Sequence, residues 1–152
     1  MFRGLNAINL DAKGRMAMPA KCRARLESES DSRLVITIDT EEKCLLLYPY
    51  PAWEEIEKKI EALPSFNKVT RRIQRLLIGH ATELELDGNG RILLPQLLRE
   101  YAAIDKHVIL VGQGKKFEIW DEKTWTSGRN DWMAEGLSEL PELPAELQSV
   151  SL

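Results

Sequence analysis

The sequence is poor in the residues from which active centres are built. Among 152 residues there are two cysteines, Cys22 and Cys44, and two histidines, His80 and His107. The cysteines stand alone, without a Cys-x-x-Cys or Cys/His spacing, which leaves no disulfide framework and no zinc ligand set. They read as small core residues in a reducing compartment. Neither histidine lies in a His-Glu-x-x-His spacing, so no metal centre is expected. A Gly-x-Ser-x-Gly elbow, a P-loop and a Gly-x-Gly-x-x-Gly fingerprint are also missing. An enzyme, a cofactor and a small-molecule substrate therefore have no basis in the sequence. No apolar run approaches the roughly 18 residues a membrane helix needs. The start, Met-Phe-Arg-Gly-Leu-Asn, lacks an apolar stretch behind a basic residue, so no signal peptide is expected and the protein is expected to be cytoplasmic.

An excess of positive charge is lacking as well: the net charge is -3. That total hides an uneven distribution. Residues 1–26 carry Arg3, Lys13, Arg15, Lys21, Arg23 and Arg25 against Asp11 alone. Residues 131–152 carry Asp131, Glu135, Glu139, Glu142 and Glu146 with no Lys or Arg. A polyanion meets the local field rather than the sum, so the basic head is a candidate nucleic-acid surface.

What is present is a repeat. Ile8–Pro19, INLDAKGRMAMP, recurs as Leu84–Pro95, LELDGNGRILLP. Asp11, Gly14, Arg15 and Pro19 match Asp87, Gly90, Arg91 and Pro95 at a single offset of 76 residues, and Arg23 matches Arg99 at the same offset. Self-similarity of this kind sets the number of structural units, here two. Period-two alternation on both sides of each polar, glycine-bearing turn is a hairpin signal, and Asp87-Gly88-Asn89-Gly90 supplies the positive φ that tight turns demand. Each proline then opens a short helix. Two strands follow in each copy, at 34–39 and 44–49 and at 107–112 and 116–121.

Between the copies lies a helical insert. Trp53, Ile56, Ile60 and Leu63 share one helix face, with Glu54–Lys58 and Glu55–Lys59 pairs outside. A second helix is predicted from about Lys68 to Ile78, ended by Gly79, with Val69, Ile73, Leu76 and Leu77 on one side and Arg71, Arg72 and Arg75 on the other. A third helical stretch follows Trp125, and the proline-broken tail beyond Gly136 is expected to be partly irregular. The organisation expected is residues 5–52, a helical insert at 53–80, residues 81–124, and a C-terminal helix with acidic tail at 125–152. A copy of about 45 residues is too small to bury a convincing core alone. The two sets of strands are therefore expected to pack about a pseudo-twofold axis into one α+β, barrel-like domain.

The turns admit three readings. Asp11 and Asp87 cap the turns by accepting backbone N–H bonds, each paired with its own arginine. Alternatively, an arginine fork beside a glycine suits phosphate oxygens or the O6/N7 edge of guanine. Catalysis lacks a neighbouring base or nucleophile. By charge, the first copy should carry most nucleic-acid contact and the second more of the architecture.

The residues Met1–Gly4, Asn9–Arg15, Cys44–Pro49, Arg75–Ala81, Asp87–Arg91, Val111–Gln113 and Phe117–Asp121 together resemble the MraZ family of bacterial transcriptional regulators, which carry two AbrB-type (SpoVT-AbrB) swapped-hairpin repeats. That resemblance covers nearly the whole chain. It implies ring-shaped homo-oligomers that associate with the nucleoid. It implies binding of double-stranded promoter DNA at G-containing direct repeats, and repression of the division and cell-wall gene cluster that includes the regulator's own gene. The family's DNA-contacting loop falls on Lys13 and Arg15, with Arg3 beside them and Arg91 as the matched position of the second copy. With the basic head, the DNA-contacting candidates are Arg3, Lys13, Arg15, Lys21, Arg23 and Arg91. The turn-forming candidates are Asp11, Gly14, Asp87, Gly88 and Gly90. The competing expectation is an antitoxin-like interaction module of the same fold class, motivated by the acidic tail.

Overall fold

The computed structural model describes residues 1–136 and 144–150. The chain divides into two compact units, Met1–Glu122 and Lys123–Leu152. The first is a mixed α+β structure in which every paired strand is antiparallel. Its elements are β1 (Phe2–Asn9), β2 (Arg15–Ala17), α1 (Ala20–Ser30), β3 (Arg33–Ile38), β4 (Leu45–Pro49), α2 (Tyr50–Glu61), α3 (Lys68–Ile73), β5 (Thr82–Glu85), β6 (Arg91–Leu93), α4 (Gln96–Tyr101), β7 (His107–Gly114) and β8 (Phe117–Asp121).

Six strands form one sheet in the order β1-β7-β8-β4-β3-β5, and β2 and β6 form a second, two-stranded one. The order reads the same from either end once each strand is exchanged for its counterpart in the other copy: β1 for β5, β7 for β3, β8 for β4. The centre of the large sheet is the pair Leu46↔Glu118. The centre of the small sheet is Met16↔Ile92, two residues that also match in the sequence repeat.

Each Asp-x-x-Gly-Arg segment makes the tight turn expected of it, with Gly14 N–H donating to Asp11 O at 3.0 Å and Gly90 N–H to Asp87 O at 2.9 Å. The strands on either side of a turn do not pair with each other, however. β1 leaves to pair with β7 and β2 with β6, so each copy completes the other's sheets. The local alternation fixes which side chains face inward; the choice of partner is made by burial at long range. Met16 and Ile92, 0% and 1% exposed, sit at the heart of the resulting core with Leu26, Leu94 and Leu98. Truncating such a side chain costs about 2–5 kcal/mol.

The large sheet is covered on both faces at β3 and β4. Leu34, Ile36, Leu45, Leu47, Leu110 and Ile119 point into the core shared with β2, β6, α1 and α4. Val35, Leu46 and Tyr48 alternate with them and meet Trp53 and Ile56 of α2 and Leu77 and Ile78. The helical insert thus covers the opposite face at β3 and β4. Asn67 caps α3 by accepting from the N–H groups of Val69 (2.9 Å) and Thr70 (3.3 Å), a favourable N-terminal arrangement. The helix predicted to run to Ile78 does reach it, but Gln74–Ile78 is a π turn, closed by Gly79 N–H on Gln74 O at 3.1 Å. Cys44 is buried and Cys22 half-buried, in line with a packing role.

Two faces differ from the periodicity reading. Leu98 is buried, but Leu97 and Tyr101 are exposed. Trp53 and Ile60 are buried, but Leu63 and Val69 are not.

The second unit holds nearly all of α5 (Glu122–Glu135), where the rings of Trp125 and Trp132 meet edge-on at 5.8 Å, and α6 (Ala145–Gln148). The expected irregular tail lies partly at 137–143 and 151–152, outside the described residues. No helix among the described residues is long and apolar enough to cross a membrane.

Candidate nucleic-acid interface

Each turn is built on its aspartate. Asp11 Oδ1 accepts from the backbone N–H of Lys13 and of Arg15, both at 2.9 Å, and Oδ2 accepts from Arg15 Nε at 2.6 Å. Asp87 repeats this with Asn89 N–H at 2.8 Å, Arg91 N–H at 2.9 Å and Arg91 Nε at 3.3 Å. These bonds stabilise the ionised carboxylates. The Arg15 backbone N–H is the largest cause holding Asp11 down at about 2, and the Arg91 N–H does the same for Asp87, which is also lowered. The glycine after each cap adopts positive φ, +85° at Gly14 and +70° at Gly90, which a side chain would resist.

The two turns are joined. Pairing of β2 with β6 brings Arg91 to the first turn, where its Nη1 lies 3.6 Å from Asp11 Oδ2. Asp11 therefore holds two guanidinium groups and Asp87 one. Arg15 is bound to its aspartate through Nε, and its two Nη groups have no protein acceptor among the described residues. Lys13 is exposed at the turn and has no carboxylate partner among the described residues.

A second crossing links each helix to the other copy's turn. Arg99 of α4 lies over Gly14, so close that a Cβ there would sit 2.7 Å from its Cζ, and its Nε donates to Leu94 O at 3.1 Å. Arg23 of α1 lies over Gly90, with Nη1 donating to Asn89 O at 3.2 Å; a Cβ on Gly90 would sit 2.0 Å from its Cδ. The glycines are needed twice, for the turn and for the arginine above it. Arg99 was not among the residues singled out from sequence for DNA contact; its match to Arg23 across the repeat is the signal that could have found it.

The structure therefore gathers Lys13, Arg15, Arg23 and Arg91, with Asp11, Gly14, Asp87, Gly88 and Gly90, around the joined turns. Lys21 is exposed at the start of α1. Arg3 is exposed but lies near the far end of β1, with about 20 Å of strand between it and Asn9. Arg25 is occupied elsewhere, with Nη1 donating to Met1 O at 2.6 Å and Nε to Glu29 at 3.0 Å.

Among the described residues one cluster has ligand-type atoms. Those of Asp39, Cys44 and Glu118 lie within 4.8 Å of one another. The Cys44 thiol donates to Asp39 Oδ2 at 3.5 Å, and burial together with neighbouring carboxylates pushes the thiol up, opposing the thiolate a metal would need.

The fold and the turns define a tandem-repeat protein whose two halves each complete the other and present their capped arginine turns side by side. The sequence matches the family model described as "MraZ protein, putative antitoxin-like" over residues 1–76 and 77–140, and the chain belongs to that family. Proteins named Transcriptional regulator MraZ are similar to it along both full chains (100% of each). That of Coxiella burnetii (strain Dugway 5J108-111) is 61% identical over 152 residues. Those of Halorhodospira halophila (strain DSM 244 / SL1) and Legionella pneumophila (strain Corby) are each 54% identical over 152 residues.

Proposed function

We propose that the protein is a sequence-specific DNA-binding transcriptional regulator, and that Lys13 and Arg15 of the first turn are its principal DNA contacts. The observation that carries this reading is the state of Arg15: its Nε is fixed on Asp11 while its two Nη groups face no protein acceptor among the described residues. A guanidinium held at one corner and open at the other is preorganised for a phosphate or for the O6/N7 edge of guanine in a major groove. Lys13 supplies a mobile charge beside it for the backbone. The names of the relatives, transcriptional regulators throughout, support the same reading.

In this proposal the target is the promoter of the division and cell-wall gene cluster, the chain's own gene included, and binding represses it. The protein acts as a homo-oligomeric ring of swapped-hairpin repeats in the cytoplasm, at the nucleoid. A single turn binds weakly; a ring presents many turns at fixed intervals, and contacts along one duplex multiply through effective concentration. Regularly spaced, G-containing direct repeats are the sites such an array would select.

The test is footprinting and gel shift on the DNA upstream of the chain's own gene. Wild-type protein should protect regularly spaced, G-containing repeats. Arg15→Ala should weaken binding roughly tenfold to a hundredfold for each engaged turn while secondary structure and assembly stay unchanged. Near-wild-type affinity in that variant would remove Arg15 from the interface.

A further inference from the structure

Strand alternation divides the small sheet into two faces. Met16 and Ile92 face the core. Arg15, Ala17, Arg91 and Leu93 form the other face, and none of the four is buried. Leu93 is 52% exposed. Ala17 and Leu93 match each other across the repeat at the same offset of 76 residues. Because β2 and β6 run antiparallel, each lies opposite the other copy's arginine: Arg15 pairs with Leu93 and Ala17 with Arg91. The Leu94 N–H donates to Gly14 O at 3.1 Å, which holds Leu93 beside the first turn, and the Met18 N–H donates to Gly90 O at 2.9 Å, which holds Ala17 beside the second. The turn with the open guanidinium fork therefore also has the large apolar side chain, and that side chain comes from the other copy.

We infer that Leu93 is a specificity-determining residue, whose side chain meets the C5-methyl group of a thymine in the base pair next to the guanine contacted by Arg15. A lone exposed leucine is ordinary on a protein surface; Leu93 is set apart by its place opposite Arg15 on a face that also carries Arg91. A two-stranded ribbon fits a major groove, and the cations of this face suit the groove's negative field. Side chains paired across a ladder start roughly 5 Å apart, while successive base pairs are about 3.4 Å apart. With Arg15 on a guanine edge, Leu93 thus falls on the neighbouring pair. Leucine offers no hydrogen bond, and the thymine methyl is the apolar group that the major groove displays. A cytosine there would turn its amino donor toward leucine and leave it unpaired, which disfavours it. At the second turn Ala17 is too short for this contact, and Arg91 is held by Asp87 and Asp11. The inference rests on the reading of Arg15 proposed above and adds to it a base contact from the second copy.

The experiment is fluorescence anisotropy with the full chain on duplexes carrying the footprinted repeats. Each thymine next to a protected guanine is replaced in turn by deoxyuridine, which removes the methyl group alone. Wild type should bind the thymine duplex roughly fourfold more tightly than the uracil duplex at one such position, for each engaged turn, the value of one buried methyl-sized group. Leu93→Ala should bind the two duplexes alike, with a melt and a sedimentation velocity matching wild type. Leu93→Gln, of similar length with a polar tip, serves should Leu93→Ala melt early. Protected repeats with no thymine next to a guanine would overturn the contact while leaving Arg15 in place. So would a wild type that binds DNA but is indifferent to uracil at every such position, or a Leu93→Ala chain that keeps the wild-type ratio. That ratio kept by a Leu93→Ala chain of lower mass would also overturn it, and would assign Leu93 to a contact between copies. A wild type that binds no DNA would remove the reading of Arg15 together with that of Leu93.

Discussion

In the first turn Arg15 spends one nitrogen on its own aspartate; in the second Arg91 spends Nε on Asp87 and Nη1 on Asp11. The backbones of the turns are alike and their aspartates cap them alike, so the shared motif describes a scaffold. The difference lies in what remains free. The first turn keeps an open guanidinium fork beside Lys13. The second has Asn89 in the place of that lysine, and its arginine is turned back to hold the first turn. A matched motif therefore identifies two equal folds without assigning them equal work.

The sharpest way to break this comparison is to exchange the two arginines' losses. Arg15→Ala should cost DNA affinity roughly tenfold to a hundredfold for each engaged turn, with little change in thermal midpoint. Arg91→Ala should do the reverse, lowering the midpoint and reducing affinity less. Equal losses of affinity in gel shifts would mean that both turns read DNA. Next in size are the glycines. Gly14→Ala and Gly90→Ala each force a side chain into positive φ and against an arginine. Each should destabilise by about 1–3 kcal/mol, measured by denaturant melts. Replacing the arginine above the glycine as well (Arg99→Ala with Gly14→Ala) should recover part of that loss.

Asp11 gives a smaller, pH-dependent effect. Its folded value, about 2, lies below the ordinary 3.8. Its contribution to stability is therefore complete above about pH 4 and is lost as the pH falls through about 2. Asp11→Asn should flatten the fall in thermal midpoint between those values, and Asp87→Asn should flatten it less, because Asp87 holds one guanidinium where Asp11 holds two. The smallest effect is that of Lys13→Ala, which should leave sequence preference intact and lower the slope of log affinity against log salt by roughly one for each engaged turn.

Much of this frame was legible in the chain. The alternation about Asp11 and Asp87 located the turns, and the prolines at 19 and 95 located the helices that follow. Strand partners were not legible, since alternation says which face a residue takes and nothing about its neighbour across the ladder. Neither was the fate of Arg23. Counted as charge it belongs to the basic head; in the structure it lies over Gly90 and binds Asn89 O. Leu97 and Tyr101 were read with Leu98 as one apolar side, but adjacent helical residues point about 100° apart, and the core takes Leu98. Arg3 illustrates the opposite limit: close to Asp11 along the chain, it is carried away from the turn by an extended strand.

The bridge from Arg91 to Asp11 has a consequence for how such a protein can change. In a symmetric pair of identical chains, every substitution is made on both sides of the axis at once, so a lysine gained by one turn is gained by its mate. Here the two turns meet across an axis within a single polypeptide, and each can be altered alone. One side could thus keep the exposed Lys13 while the other took Asn89 and became its brace, a division of labour closed to a symmetric dimer of identical chains.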